Sequence, residues 1–134
     1  MKSISTFLLF VGDQCGKAEE AVNFYISLFD NSEVIDIEYY GEREEEPKGT
    51  VKLARFTLNG VEHLASESSL AHKFTFTPAV SFFIECESQD EIERLHKLLV
   101  DGGAELLPLD NYGFSQMFCW VSDRYGVSWQ LNLA

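Results

Sequence analysis

The sequence predicts an α+β fold built from two βαβββ modules, and three observations carry that reading. The order strand, helix, strand, strand, strand recurs in the two halves of the 134-residue chain. Asn59-Gly60, set between two apolar runs, is a strong two-residue hairpin signal, because both residue types tolerate the positive φ of a tight turn. The tail from Trp120 to Leu133 reads as strand, turn, strand, with Asp123 to Gly126 as the turn. After it, Trp129, Leu131 and Leu133 alternate with Ser128, Gln130 and Asn132. A strand sends alternate residues to opposite faces, so one face packs and the other presents a hydroxyl and two carboxamides.

Taken in order, residues 4–11 form an apolar strand. The same stretch superficially resembles a signal peptide, but its apolar core is short and no small-x-small site follows before Gly12-Asp13-Gln14. From Ala18 to Phe29, apolar residues fall at 18, 21, 22, 25, 28 and 29, the spacing of one helix face. Residues 33–40 suit a strand with Ile35, Ile37 and Tyr39 on one face, and Gly41 to Gly49 is a charged loop. Strands at 50–58 and 61–67 flank the hairpin turn, and residues 68–78 connect the halves.

The second half repeats the order. Ala79 to Cys86 is a strand, and Ser88-Gln-Asp-Glu91 is a capping box that satisfies amide groups at a helix start. Ile92, Leu95 and Leu99 form that helix's inward stripe, and Gly102-Gly103 stops it. A short strand at 104–107 and strands at 115–122 and 127–133 complete the unit. The expected organisation is one domain, with a first module at 1–67, a connector at 68–78 and a second module at 79–134.

The balance of 22 acidic against 10 basic residues gives a net charge of −12, a field that repels nucleic acid and anionic bilayers. No run is long and apolar enough to span a membrane. Three widely spaced cysteines, Cys15, Cys86 and Cys119, fit a reduced cytoplasm better than a disulfide framework. Eleven Phe, five Tyr and two Trp are enough to build a large core or an aromatic-lined pocket.

Several stretches together resemble a known family: Ala18-Glu-Glu-Ala-Val-Asn-Phe-Tyr25, Leu28-Phe29, Tyr40-Gly41, Phe74-Thr-Phe-Thr-Pro-Ala-Val-Ser81 and Asp123-Arg-Tyr-Gly-Val-Ser-Trp-Gln130. In order and spacing they resemble the PhnB-like branch of the glyoxalase/bleomycin-resistance, or vicinal oxygen chelate, superfamily. That branch carries the label 3-demethylubiquinone-9 3-methyltransferase. The stretch Gly12 to Lys17 is longer than the family's usual link between first strand and first helix. The resemblance implies paired modules, a cleft and commonly a homodimer. In metal-using members it implies a divalent ion on His, Glu or Gln side chains. Carried over one at a time, those positions fall near Thr6, near Ser81, on Gln130, and at Ser66 or Glu67.

These residues make a poor metal site. Thr6, Ser81 and Gln130 are neutral, weak donors, and a catalytic divalent ion needs three or four groups such as His, carboxylate or thiolate. If any residues hold an ion, they are Glu67 and Gln130. His63 and Glu67, four residues apart on one strand, are separated by about 13 Å. His72 and His96 have no paired donors, and no nucleophile motif is present. Cys86 and Cys119 pack as small hydrophobes, and Cys15 near Lys17 is either a solvated loop residue or a thiol of lowered pKa. Gly12-x-x-x-Gly16-Lys17-Ala18 imitates a phosphate loop but is one residue short and lacks the Ser/Thr.

The leading expectation is a small-molecule-binding protein with no tightly held cofactor. Thr6, Ser81 and Gln130 orient the ligand, and Trp120 supplies apolar surface. The rival readings are a divalent-metal-dependent lyase, dioxygenase or transferase of the same superfamily, and a drug-sequestering resistance dimer. Methyl transfer finds no support, since no glycine-rich methyl-donor motif follows any strand.

Overall fold

Asn59 and Gly60 adopt φ of 49° and 79°, the left-handed pair that a two-residue hairpin turn requires. The computed structural model describes all residues from Met1 to Ala134 and divides into two units, Met1–Thr75 and Phe76–Ala134. The first unit contains strand β1 (Thr6–Phe10), helix α1 (Ala18–Leu28) and strands β2 (Glu33–Tyr39), β3 (Val51–Leu58) and β4 (Val61–Glu67). The second contains β5 (Ser81–Glu85), α2 (Gln89–Val100), β6 (Ala104–Asp110), β7 (Met117–Ser122) and β8 (Ser128–Leu133). Each is a βαβββ unit, as the sequence predicts.

In the first unit the sheet order is β1-β4-β3-β2, and in the second it is β5-β8-β7-β6. The first strand of each unit pairs in parallel with the last, and the other neighbours are antiparallel. Hairpins produce the antiparallel pairs, while the parallel pair needs the longer path through the unit. Each sheet is open, and no helix is long and apolar enough to cross a membrane.

Helix α1 buries Ala18, Ala21, Val22, Tyr25 and Leu28, the spacing read from the sequence. Its N-cap, Lys17, makes no side-chain cap. The amide of Ala18 is met instead by Glu67 Oε2 at 3.1 Å, from the end of β4. Helix α2 is capped locally: Ser88 Oγ accepts from the Glu91 amide at 3.1 Å, and Glu91 Oε1 accepts from the Glu87 amide at 2.8 Å. Ile92, Leu95 and Leu99 are fully buried on its inner stripe, over β7 and β8. Trp129 and Leu131 also lie fully buried, and burying side chains of this size contributes roughly 1.5–3 kcal/mol each.

Two local expectations change. β2 has register shifts between Val34 and Asp36 and between Glu38 and Tyr39, so Ile35, Ile37 and Tyr39 do not form one continuous face. A bulge inserts an unpaired residue and breaks the two-residue period. β6 runs to Asp110 rather than stopping at 107. It contains Pro108, which has no amide to donate; the sheet tolerates this because β6 is an edge strand with a register shift between Leu107 and Asp110.

Candidate functional site

Directly opposed residues in a sheet share a face, so the register of the second sheet defines rows across it. On the face away from α2, one row is Ser81, Ser128, Ser122 and Ala104. The next is Phe83, Gln130, Trp120 and Leu107, and the third is Glu85, Asn132, Phe118 and Asp110. Three of the four ligand contacts read from the sequence, Ser81, Trp120 and Gln130, therefore stand together.

The first row is small, hydroxylic and knit together. Ser81 Oγ and Ser128 Oγ lie 2.7 Å apart, and the Trp120 indole donates to Ser128 Oγ at 2.8 Å. That bond tethers the indole of the middle row to the serines. Gln130 is half-buried between Phe83, which is 53% exposed, and Trp120. In the third row Asn132 donates to Glu85 Oε2 at 3.0 Å and accepts from Ser115 Oγ at 2.5 Å. Ser128 and Asn132, on the polar side of β8, are buried, and these bonds satisfy their polar groups. Phe118 lies under Phe114, with ring centroids 5.1 Å apart, and Tyr112 stacks on Phe114 at 6.3 Å. The result is an apolar middle flanked by hydroxyls on one side and by carboxylates and aromatic rings on the other.

The turn before β8 fixes this strand. Asp123 is buried; its Oδ1 accepts from the amides of Tyr125 and Val127 at 2.8 and 3.1 Å, and its Oδ2 from the Trp129 indole at 2.9 Å. Gly126 has φ of 91° and donates its amide to Asp123 O at 3.0 Å. With Trp129 anchored beneath the sheet, Gln130 is held on the opposite face.

The first-unit candidates sit differently. Thr6 opposes His63 and shares the face of Leu8 and Phe10, which are buried. The other face of β1 carries Phe7 and Leu9, opposed to Leu64 and Ser66. Thr6 is thus one residue out of phase with the face that corresponds to the rows above. Glu67 is 3% exposed, and both oxygens are engaged: Oε2 by the Ala18 amide and Oε1 by the Val51 amide at 2.7 Å. Its carboxylate joins α1 to the sheet. Ser66 Oγ donates to the Lys52 carbonyl at 2.9 Å. These groups do not fit a divalent ion, and no cluster of three or more His, Cys, Asp or Glu offers an alternative.

The remaining reactive side chains have structural partners. Cys15 lies within reach of Glu67 and Glu46; burial first, then those carboxylates, raise its thiol pKa, opposite to the lowering that Lys17 suggests. Burial pushes Cys86 up to about 11 and Cys119 up to about 12, as suits packed thiols. His96 Nε2 lies 2.6 Å from Glu105 Oε1, and His72 Nε2 lies 2.9 Å from Ser68 Oγ. The glycine-rich stretch after β1 is a 3-10 turn at Gly12–Gln14, bordering a surface hollow of about 500 Å³ with His72 to Thr75. The sequence alone does not single out Glu85, Phe118 or Asp110, which the register adds to this face. Alternation from Ser81 predicts the side of Glu85, but the register that places the other two beside it is not legible from sequence.

The family model described as 3-demethylubiquinone-9 3-methyltransferase matches residues 2–132. Among solved structures, a putative 3-demethylubiquinone-9 3-methyltransferase, a PhnB protein from Bacillus cereus, is 50% identical with a TM-score of 0.92, covering 99% of this chain and 100% of its own. Protein PA1353 from Pseudomonas aeruginosa is 25% identical with a TM-score of 0.80, over 99% and 98% of the two chains. A glyoxylase/bleomycin resistance protein/dioxygenase domain from Frankia sp. EAN1pec shares the fold at 14% identity and a TM-score of 0.61, over 100% and 93%. No curated protein matches.

Proposed function

Because this chain belongs to the 3-demethylubiquinone-9 3-methyltransferase-like, PhnB-like family of the glyoxalase/bleomycin-resistance fold, we propose that it binds a small organic molecule on the open face of its second sheet. The observation that carries this reading is the middle row, where exposed Phe83 and Leu107 flank half-buried Gln130 and Trp120. Apolar surface with a few fixed polar groups is the usual composition of a small-molecule site. Phe83 and Trp120 offer rings to an apolar body. Gln130 offers one donor group and one acceptor to its polar part, and Ser81 a hydroxyl.

The binding form is a homodimer. Phe7 and Val61 are each more than half exposed, and both sheets have open edge strands. Exposed apolar groups and unpaired strand edges favour a partner surface.

The test is a thermal-shift screen of small organic molecules, with hits titrated by tryptophan fluorescence on the native protein and on Phe83→Ala and Gln130→Ala. Hits should lose about tenfold or more in affinity in either variant, the scale of 1.4 kcal/mol. Hits that bind both variants as tightly as the native protein would place the site elsewhere.

A further inference from the structure

The geometry points to an organic cation as the ligand class: an amine whose ammonium group sits against Glu85 and whose apolar body lies on the exposed rings of Phe83 and Phe114. This rests on the open face of the second sheet being the ligand site. Strands β5, β6, β7 and β8 contain no lysine or arginine. Their charged residues are Glu85, Glu105 and Asp110. Glu105 is engaged by His96 of α2, which leaves Glu85 and Asp110 as the charges in the rows of the open face. The unit's lysine and arginines are Arg94 and Lys97 on α2 and Arg124 in the turn, where Arg124 Nη2 lies 3.5 Å from Asp101 Oδ2. An anionic ligand would meet two carboxylates and no cationic strand residue.

The carboxylate of Glu85 is also oriented. Asn132 accepts from Ser115 through its oxygen, so its amide nitrogen is directed to Glu85 Oε2. Aromatic surface shares the row of this acid: Phe118 opposes Asn132 from the far side, Phe114 packs edge-on to Phe118, and Phe114 itself is 65% exposed. A carboxylate on a face that also carries exposed rings recognises an ammonium group by charge, while the rings take its apolar body. A neutral alcohol of the same shape draws on the apolar part alone.

The experiment compares three probes with one body and three head groups: 4-phenylbutylamine, 4-phenylbutanol and 4-phenylbutyrate. Each is titrated into the native full chain by calorimetry at low and high salt. The amine should bind roughly tenfold tighter than the alcohol, a difference of about 1.4 kcal/mol, and the carboxylate weakest. The amine's advantage should shrink as salt screens it. Glu85→Gln should remove the preference for the amine, and Glu45→Gln, an equal charge change on an exposed loop, should keep it. Circular dichroism confirms that both variants are folded. Amine and alcohol binding equally, or a preference that survives Glu85→Gln, overturns the cation inference alone. Failure of all three probes to bind overturns the inference together with the site it rests on.

Discussion

The indole nitrogen of Trp129 donates to Asp123 Oδ2 at 2.9 Å, tying the buried face of β8 to the turn that begins it. The other oxygen of the same carboxylate takes the amides of Tyr125 and Val127. One buried side chain therefore sets the turn, anchors the largest core residue and fixes which face of β8 Gln130 occupies. In this way the stability of the second unit and the shape of its open face depend on the same contact.

Asp123→Ala should lower stability by about 3 kcal/mol or more, because it leaves three buried donors without their acceptor, each costing roughly 1–3 kcal/mol. Urea unfolding followed by tryptophan fluorescence measures this. A loss under 1 kcal/mol would show that the carboxylate does not organise the turn.

Glu67→Gln should cost roughly 1–3 kcal/mol, since an amide offers one acceptor where the carboxylate serves the Ala18 and Val51 amides with two. Hydrogen exchange should show the loss concentrated in the first turn of α1 and the start of β3. Unchanged protection there would contradict the capping role.

The buried thiols predict a decline in stability at alkaline pH. Burial raises the folded pKa of Cys86 to about 11 and of Cys119 to about 12, from an ordinary 9.0. The folded state then binds more protons than the unfolded state above about pH 9, so this contribution is fully present below that pH. It is lost as pH rises from about 9 through the folded values. Cys119→Ala should flatten the fall in urea midpoint over that window; a slope identical to that of the native protein would exclude Cys119 as a source. In the folded protein at pH 8, both thiols should also resist alkylation until the chain unfolds.

Light scattering at micromolar concentration should give twice the 15.2 kDa chain mass. A monomer mass would refute the dimer and leave Phe7 and Val61 as exposed surface of a single chain.

Gln130→Glu should raise divalent affinity, because it adds a carboxylate diagonal to Glu85 on the neighbouring strand. The native protein should show little thermal shift with Zn²⁺, Mn²⁺ or Ni²⁺. A stoichiometric ion held through native Gln130 or Glu67 would favour the metal-dependent reading instead.

The sequence by itself determined the element order and several local features. The positive-φ turns, the α2 capping box and the alternation of Trp129, Leu131 and Leu133 are dictated by residue type and by neighbours a few positions away. It also brought Ser81 and Gln130 into consideration, as positions the family resemblance carries over, and Trp120 as a ring bordering the expected cleft. Tertiary structure decided what depends on partners distant in sequence. A bulge at Ile35 broke the apparent face of β2, and the pairing of β1 with β4 set Thr6 opposite His63. Glu67 caps α1 at Ala18, 49 residues away. Strand register joined Glu85, Asn132, Phe118 and Asp110 into one row. Alternation assigns a side chain to one of two faces, but only cross-strand pairing decides what lies beside it and which face a helix covers.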